Sequence, residues 1–153
     1  MRTLVIALVI AATSATASAD VGLGLFVGEP VGLDLKIDAG YRSSLDIVLG
    51  WSTFRDARDQ YAHLTYLATP VIGHGDAITV PLRIGIGVAF YGEGGFDNGV
   101  NIAVRAPIEI ALRFRRAPVE IYGEIAAEIT FFDDNNDDNV FDLQGGIGFR
   151  IYF

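Results

Sequence analysis

Residues 119–131 read Val-Glu-Ile-Tyr-Gly-Glu-Ile-Ala-Ala-Glu-Ile-Thr-Phe. Val119, Ile121, Gly123, Ile125, Ala127, Ile129 and Phe131 alternate with Glu120, Tyr122, Glu124, Ala126, Glu128 and Thr130. Successive side chains of a strand point to opposite faces, so a period of two over this length is strand periodicity and not helix. One face of this strand is apolar and the other carries three glutamates.

The same period recurs in both directions. Leu82, Ile84, Ile86, Val88 and Phe90 alternate with Arg83, Gly85, Gly87 and Ala89, and Ile102, Val104, Ala106, Ile108, Ile110 and Leu112 with Ala103, Arg105, Pro107, Glu109 and Ala111. Nearer the amino end, Val21 to Val27 alternate with Gly22, Gly24, Phe26 and Gly28. Leu33, Leu35 and Ile37 alternate with Asp34, Lys36 and Asp38, and Leu45, Ile47, Leu49 and Trp51 with Asp46, Val48 and Gly50. At the carboxy end Phe141, Leu143, Ile147, Phe149, Ile151 and Phe153 alternate with Asp142, Gln144, Gly148, Arg150 and Tyr152. Residues 61–69 carry the weakest version, with Ala62, Leu64, Tyr66 and Ala68 on the apolar side. Eight strands result, and no helix is needed. Proline cannot donate to a ladder and a closed sheet has no edge, so strand five is expected to begin after Pro81 and a bulge to sit at Pro107.

The connections have a rhythm. Short turns follow strands two, four and six (39–42, 73–76, 115–118), whereas longer polar segments follow three, five and seven (52–60, 91–100, 132–139). Only Glu29-Pro30 is short where a long connection would fit the pattern. Eight strands of about 10 residues in this order predict an all-β, eight-stranded antiparallel up-and-down transmembrane β-barrel, and leave no chain for a larger porin.

Residues 1–19 read as a secretory signal: Arg2 at the start, an apolar run from Leu4 to Ala12, and the small residues Ala17-Ser18-Ala19 before the expected cleavage. The run is short of the roughly 20 residues a membrane helix requires. The barrel domain is then residues 20–153, beginning at Asp20. The whole chain has 11 Lys plus Arg against 19 Asp plus Glu, a formal charge of −8. That balance argues against a nucleic-acid partner, which needs clustered cations. With no cysteine there is neither a disulfide frame nor a thiolate site.

Periodicity does not say which face is inside. A soluble ligand carrier turns its apolar face inward, and a membrane barrel turns it outward. The polar face holds glycines and charges of both signs, a composition suited to a narrow, self-paired interior. Aromatic residues also gather at strand ends, with Trp51, Phe54, Phe90, Tyr91, Phe131 and Phe132 towards one rim and Phe114, Phe149, Tyr152 and Phe153 towards the other, as at the two interfaces of a bilayer. The last six residues, Gly148-Phe149-Arg150-Ile151-Tyr152-Phe153, resemble the carboxy-terminal assembly signal of bacterial outer-membrane proteins, an alternating aromatic-rich strand closing on Phe. Together with eight strands and a signal segment, the chain resembles the small outer-membrane barrels of the OmpA/OmpX type. The resemblance implies location in the cell outer membrane. It also implies outer-membrane lipid and the barrel-assembly machinery as partners, and an assembly signal made by Phe149, Ile151 and Phe153.

The candidate site is the charged face. Asp34, Asp46, Glu109, Glu120, Glu124, Glu128 and Asp142 stand against Lys36, Arg83, Arg105, Arg113 and Arg150. Unpaired buried charge is costly, so a network of opposite charges filling the lumen is expected, with the arginines reaching the carboxylates. His63 is expected to face the lumen near Ser52 or Thr53, and His74 to be a turn residue. No motif around either marks a catalytic, cofactor or metal site. Asp133 to Asn139 alternates Asp and Asn as a hard cation prefers, but lacks the Gly and distal Glu of a complete calcium loop, so weak calcium binding is the most expected there. The expected function is structural or adhesive, non-enzymatic, acting through exposed loops on an unidentified extracellular ligand. The alternatives are a lipid-modifying outer-membrane enzyme and a soluble, lipocalin-like periplasmic barrel holding a small apolar ligand.

Overall fold

The structure, a computed structural model, describes residues 20–52, 60–92, 100–132 and 141–153. The signal segment and the acidic run from Asp133 to Asn139 lie outside the described residues. Eight strands follow in chain order: β1 (Val21–Glu29), β2 (Val31–Gly40), β3 (Ser43–Trp51), β4 (Gln60–His74), β5 (Ile78–Gly92), β6 (Asn101–Phe114), β7 (Val119–Phe132) and β8 (Phe141–Tyr152). Each pairs antiparallel with its chain neighbours, and β1 pairs with β8, closing the barrel. Closure leaves no strand edge with unpaired backbone groups.

The period of two decides what is inside. On β7, Glu120, Tyr122, Glu124, Ala126 and Glu128 are buried, whereas Ile121, Ile125, Ile129 and Phe131 are exposed. The other strands alternate in the same way, so the interior is built mainly from the polar face, joined by Phe26, Val48 and Leu67, and most large apolar side chains point away from the barrel.

The register sets how strands are staggered. Stepping sideways from Gly22 passes Lys36, Asp46, Thr65, Gly87, Arg105, Glu128 and Asp142. Since Gly28 lies opposite Gly146, Asp142 falls level with position 32 of the β1 line and not with 22, a shear of about 10 residues. Eight strands with that shear tilt by roughly 40° and leave a backbone radius of roughly 8 Å, room for side chains and little else. Five of the side chains on this one circuit are charged.

The prolines behave differently from expectation. β5 begins at Ile78 and runs through Pro81, which is buried. Nor does a bulge form at Pro107: the β5–β6 pairs Ile84–Ile108 and Gly87–Arg105 keep one register across it, and Pro107 faces Ala126 on the other side. Proline removes one donor, a net loss of about 0.5–1.5 kcal/mol, whereas slipping the register would turn every later side chain to the wrong face. The shifts fall instead at Asp38–Gly40 of β2, at Ile102–Ala103 of β6 and between Ala68 and Val71 of β4, around Pro70. Beyond the β4 shift the parity of that strand reverses, so Val71 is exposed and Ile72 pairs with the buried Pro81. Tyr91 and Tyr152, expected in the rim girdles, are inside the barrel at 2% and 6% exposure. Each sits on the polar parity of its strand, and its hydroxyl has an interior partner.

Candidate functional site: the charged interior

Alternate residues of β2, β3, β5, β6, β7 and β8 deliver charge to one enclosed volume. Near its centre is Arg150. Its Nε donates to Asp34 Oδ2 at 2.6 Å, Nη2 to Asp46 Oδ1 at 2.7 Å, and Nη1 to Glu109 Oε2 and Glu120 Oε1, both at 3.0 Å. The guanidinium also lies 3.6 Å from the Tyr122 ring centroid, and the Tyr122 hydroxyl donates to Asp34. Arg83 completes this half of the barrel. It grips Glu120 through Nη1 at 2.9 Å and Nη2 at 2.7 Å, and also donates to Glu109. The paired geometry on Glu120 is the fork that guanidinium offers a carboxylate.

A second cluster, nearer the long connections, forms around Arg105. It donates to Glu124 at 2.5 Å, Glu128 at 3.3 Å, Thr65 at 3.0 Å and His63 Nε2 at 2.9 Å. A guanidinium has no acceptor, so His63 Nε2 must present its lone pair and Nδ1 carries the proton. That proton points at the Tyr61 hydroxyl, 3.1 Å away, which in turn donates to Glu128 at 3.0 Å. The 3.3 Å approach of Asp46 to Nε2 is then a close contact and not a hydrogen bond. Tyr91 donates to Glu128 and accepts from Gln144, and its ring meets that of Tyr61 edge-on at 4.9 Å.

Among the described residues the buried set holds seven carboxylates (Glu29, Asp34, Asp46, Glu109, Glu120, Glu124, Glu128) and four cations (Lys36, Arg83, Arg105, Arg150). Lys36 turns to Asp38 and lies 5.6 Å over the Tyr152 ring. Arg113 sits nearer the short-turn rim, bonded to Asp20 at 2.6 Å and Asp38 at 3.2 Å. Asp142 stands opposite Glu128, half-buried, and accepts from the Leu143 amide at 2.8 Å. Among the described residues, Asp34 Oδ1 is the buried side-chain atom that finds no partner. Phe149, Ile151 and Phe153 lie on the outer face, at 41%, 40% and 80% exposure.

His63 faces inward, but its hydrogen-bond partners are Tyr61 and Arg105; Ser52 donates instead to Glu29 at 2.5 Å. Thr53 lies outside the described residues. Sequence reading did not enter Tyr61, Thr65, Tyr91, Tyr122, Gln144 and Tyr152 in the network. Their signal was parity: each sits at an inward position, and a buried hydroxyl or amide needs a partner as a charge does. Among the described residues no cluster of His, Cys, Asp or Glu is arranged to hold a metal ion. The arrangement is electrostatic and space-filling: the buried guanidinium groups of Arg83, Arg105 and Arg150 direct N–H donors at carboxylates, a hydroxyl or an imidazole.

Comparisons with protein-family models, with curated proteins and with solved structures each return no match for this chain.

Proposed function

We propose that this chain is a small, non-enzymatic outer-membrane β-barrel whose role is structural or adhesive, exercised through the segments that join β3 to β4, β5 to β6 and β7 to β8. The observation that carries the reading is the inversion of the barrel. Leu25, Val27, Ile86, Ile125, Leu143 and Ile147 are 56–65% exposed on the outer face, while Arg105, Arg150, Glu109 and Glu120 are at most 1% exposed inside. Holding apolar surface against water costs about 25 cal/mol per Å², so a continuous outward belt of this kind calls for hydrocarbon around it. A soluble carrier of an apolar ligand has the opposite arrangement. Exposed Trp51, Phe131 and Phe141 at the long-connection end, with Phe114, Phe149 and Phe153 at the other, suit two interfaces. The enclosure of His63, 3% exposed with both ring nitrogens engaged, supports a role without catalysis. On this reading the partners are outer-membrane lipid and the barrel-assembly machinery, with Phe149, Ile151 and Phe153 as the assembly signal.

Cell fractionation with a comparison of boiled and unboiled gel samples tests it. The chain should remain with the outer membrane and migrate differently before and after boiling. Recovery in the soluble periplasmic extract would support the ligand-carrier reading instead. Activity on lipid A that is lost in His63→Ala would support the enzyme.

A further inference from the structure

We propose that the cleft beneath the β6–β7 turn binds the phosphodiester headgroup of an anionic glycerophospholipid, with the acyl chains lying on the adjoining outer face. This rests on the membrane reading above. The cleft, about 510 Å³ in volume, opens at the short-turn end between the turn and the ends of β1 and β8, and its lining includes Asp20, Thr79, Arg113, Arg115, Arg116 and Phe153.

Its charge runs against that of the molecule. Residues 20–153 hold ten Lys plus Arg against 19 Asp plus Glu, since Arg2 is the one cation before Asp20. Three of those ten fall within residues 113–116. Arg113 is already committed: Asp20 and Asp38 take its N–H groups, and its guanidinium stacks 4.0 Å from the Tyr152 ring centroid. It forms the floor of the cleft and neutralises Asp20. Arg115 and Arg116 are exposed above it. Arg115 makes one long contact, to His74 Nδ1 at 3.4 Å, and Arg116 has no partner among the described residues. Two neighbouring guanidinium groups with N–H donors to spare match a phosphodiester, whose two free oxygens can be shared between them.

The surroundings select a lipid over a free anion. Phe114 and Phe153 flank the cleft at 39% and 80% exposure, and Leu112, Ile121 and Ile151 continue the apolar surface at 40–42%. An amphiphile can place its anion on the arginines and its chains on this belt at once; inorganic phosphate gains only the first contact. The cleft is also at the rim, where the headgroup layer of one leaflet meets a membrane barrel.

Native mass spectrometry of the detergent-folded full chain offers the test, using dihexanoyl phosphatidylglycerol, dihexanoyl phosphatidylcholine and inorganic phosphate as separate probes. One phosphatidylglycerol per barrel should be retained, and the double variant Arg115→Gln/Arg116→Gln should weaken retention by about tenfold or more, as loss of charge-assisted contacts requires. Equal retention of phosphatidylcholine, equal competition by phosphate, or undiminished binding to the double variant would each overturn the proposal. Fractionation of the same variant separates the two levels. A chain recovered as a soluble protein removes the membrane reading and the lipid site with it. A membrane-embedded chain indifferent to Arg115 and Arg116 removes the site alone.

Discussion

Arg105 is held by Glu124, Glu128, Thr65 and His63 together, and all four are buried. Truncating it would leave two carboxylates facing each other where water cannot reach them, and breaking a buried pair from one side costs about 3–5 kcal/mol. Ile108, by contrast, is 59% exposed on the outer face. Its shortening to Val costs about 0.5–1.5 kcal/mol in a packed core and less outside one. Arg105→Ala should therefore lower the urea midpoint of the folded barrel well below that of Ile108→Val. Glu124→Gln is a third arm. It keeps an acceptor oxygen and removes one of the seven buried carboxylates that stand against four buried cations among the described residues, so its midpoint should fall by less than half as much. A wild-type midpoint for Arg105→Ala would mean that the interior is wet enough to hydrate the stranded acids. Gly148 shows the same crowding without charge. A Cβ there would lie 2.0 Å from Tyr122 Cζ, and that ring is pinned by Arg150 on its face and Asp34 at its hydroxyl. Overpacking of this kind costs about 1–3 kcal/mol. Gly148→Ala should be destabilised by that amount in the same titration, and a midpoint within error of wild type would show the ring free to move.

β8 closes the sheet and ends at Tyr152, one residue before the Phe153 read as part of an assembly signal, so this end separates folding energetics from recognition. The Phe153 amide donates to Val21 O at 2.9 Å, and the side chain is 80% exposed. Phe153→Asp keeps the backbone bond and disturbs nothing inside. If inserted barrel is lost from the outer membrane and periplasmic aggregate appears, the defect is in recognition or in the rim's lipid contact, not in the core. Wild-type levels of embedded Phe153→Asp would remove the signal from this strand. The strands and the division of each into two faces were legible because alternation is a local property: in β7, thirteen consecutive residues state it without help from elsewhere. Which face is inside was read from the glycines and mixed charges of the polar one. Strand ends were less so. Residues 61–69 proved to be part of the 15-residue β4, whose bulge by Pro70 inverts its parity and so ends the visible pattern early. Pro81 and Pro107 were read by the rule that a closed sheet offers proline no edge. In a closed barrel, neighbours on both sides hold the register, and one missing donor does not break it.

Pairing within the interior was the part no local pattern could supply, because it depends on how the sheet closes. Arg150 meets Asp34 and Asp46, 116 and 104 residues away in the chain, through a stagger fixed jointly by all eight registers. Once that shear is set, the contents of the lumen follow in order along the axis. Tyr61, Tyr91 and Gln144 lie towards the long connections, then the Arg105 cluster, then the Arg150 and Arg83 cluster, and last Tyr152 with Lys36 and Arg113 at the short-turn rim. An eight-stranded barrel has an interior just wide enough for its own side chains to fill. Here those side chains are tied across the axis: Arg83 on β5 spans to Glu120 on β7, Tyr61 on β4 to Glu128 on β7, and Arg150 on β8 to Asp46 on β3. An ion could pass only by parting several of these ties together, each a charged or buried contact with no water to replace it. Planar bilayers containing the purified protein should accordingly show no steady conductance of porin size. Stable large channels in wild type would show that the network is a lining and not a core. Channels that appear only on Arg105→Ala, at the same urea midpoint as wild type, would show that the arginine obstructs the path without holding the barrel together.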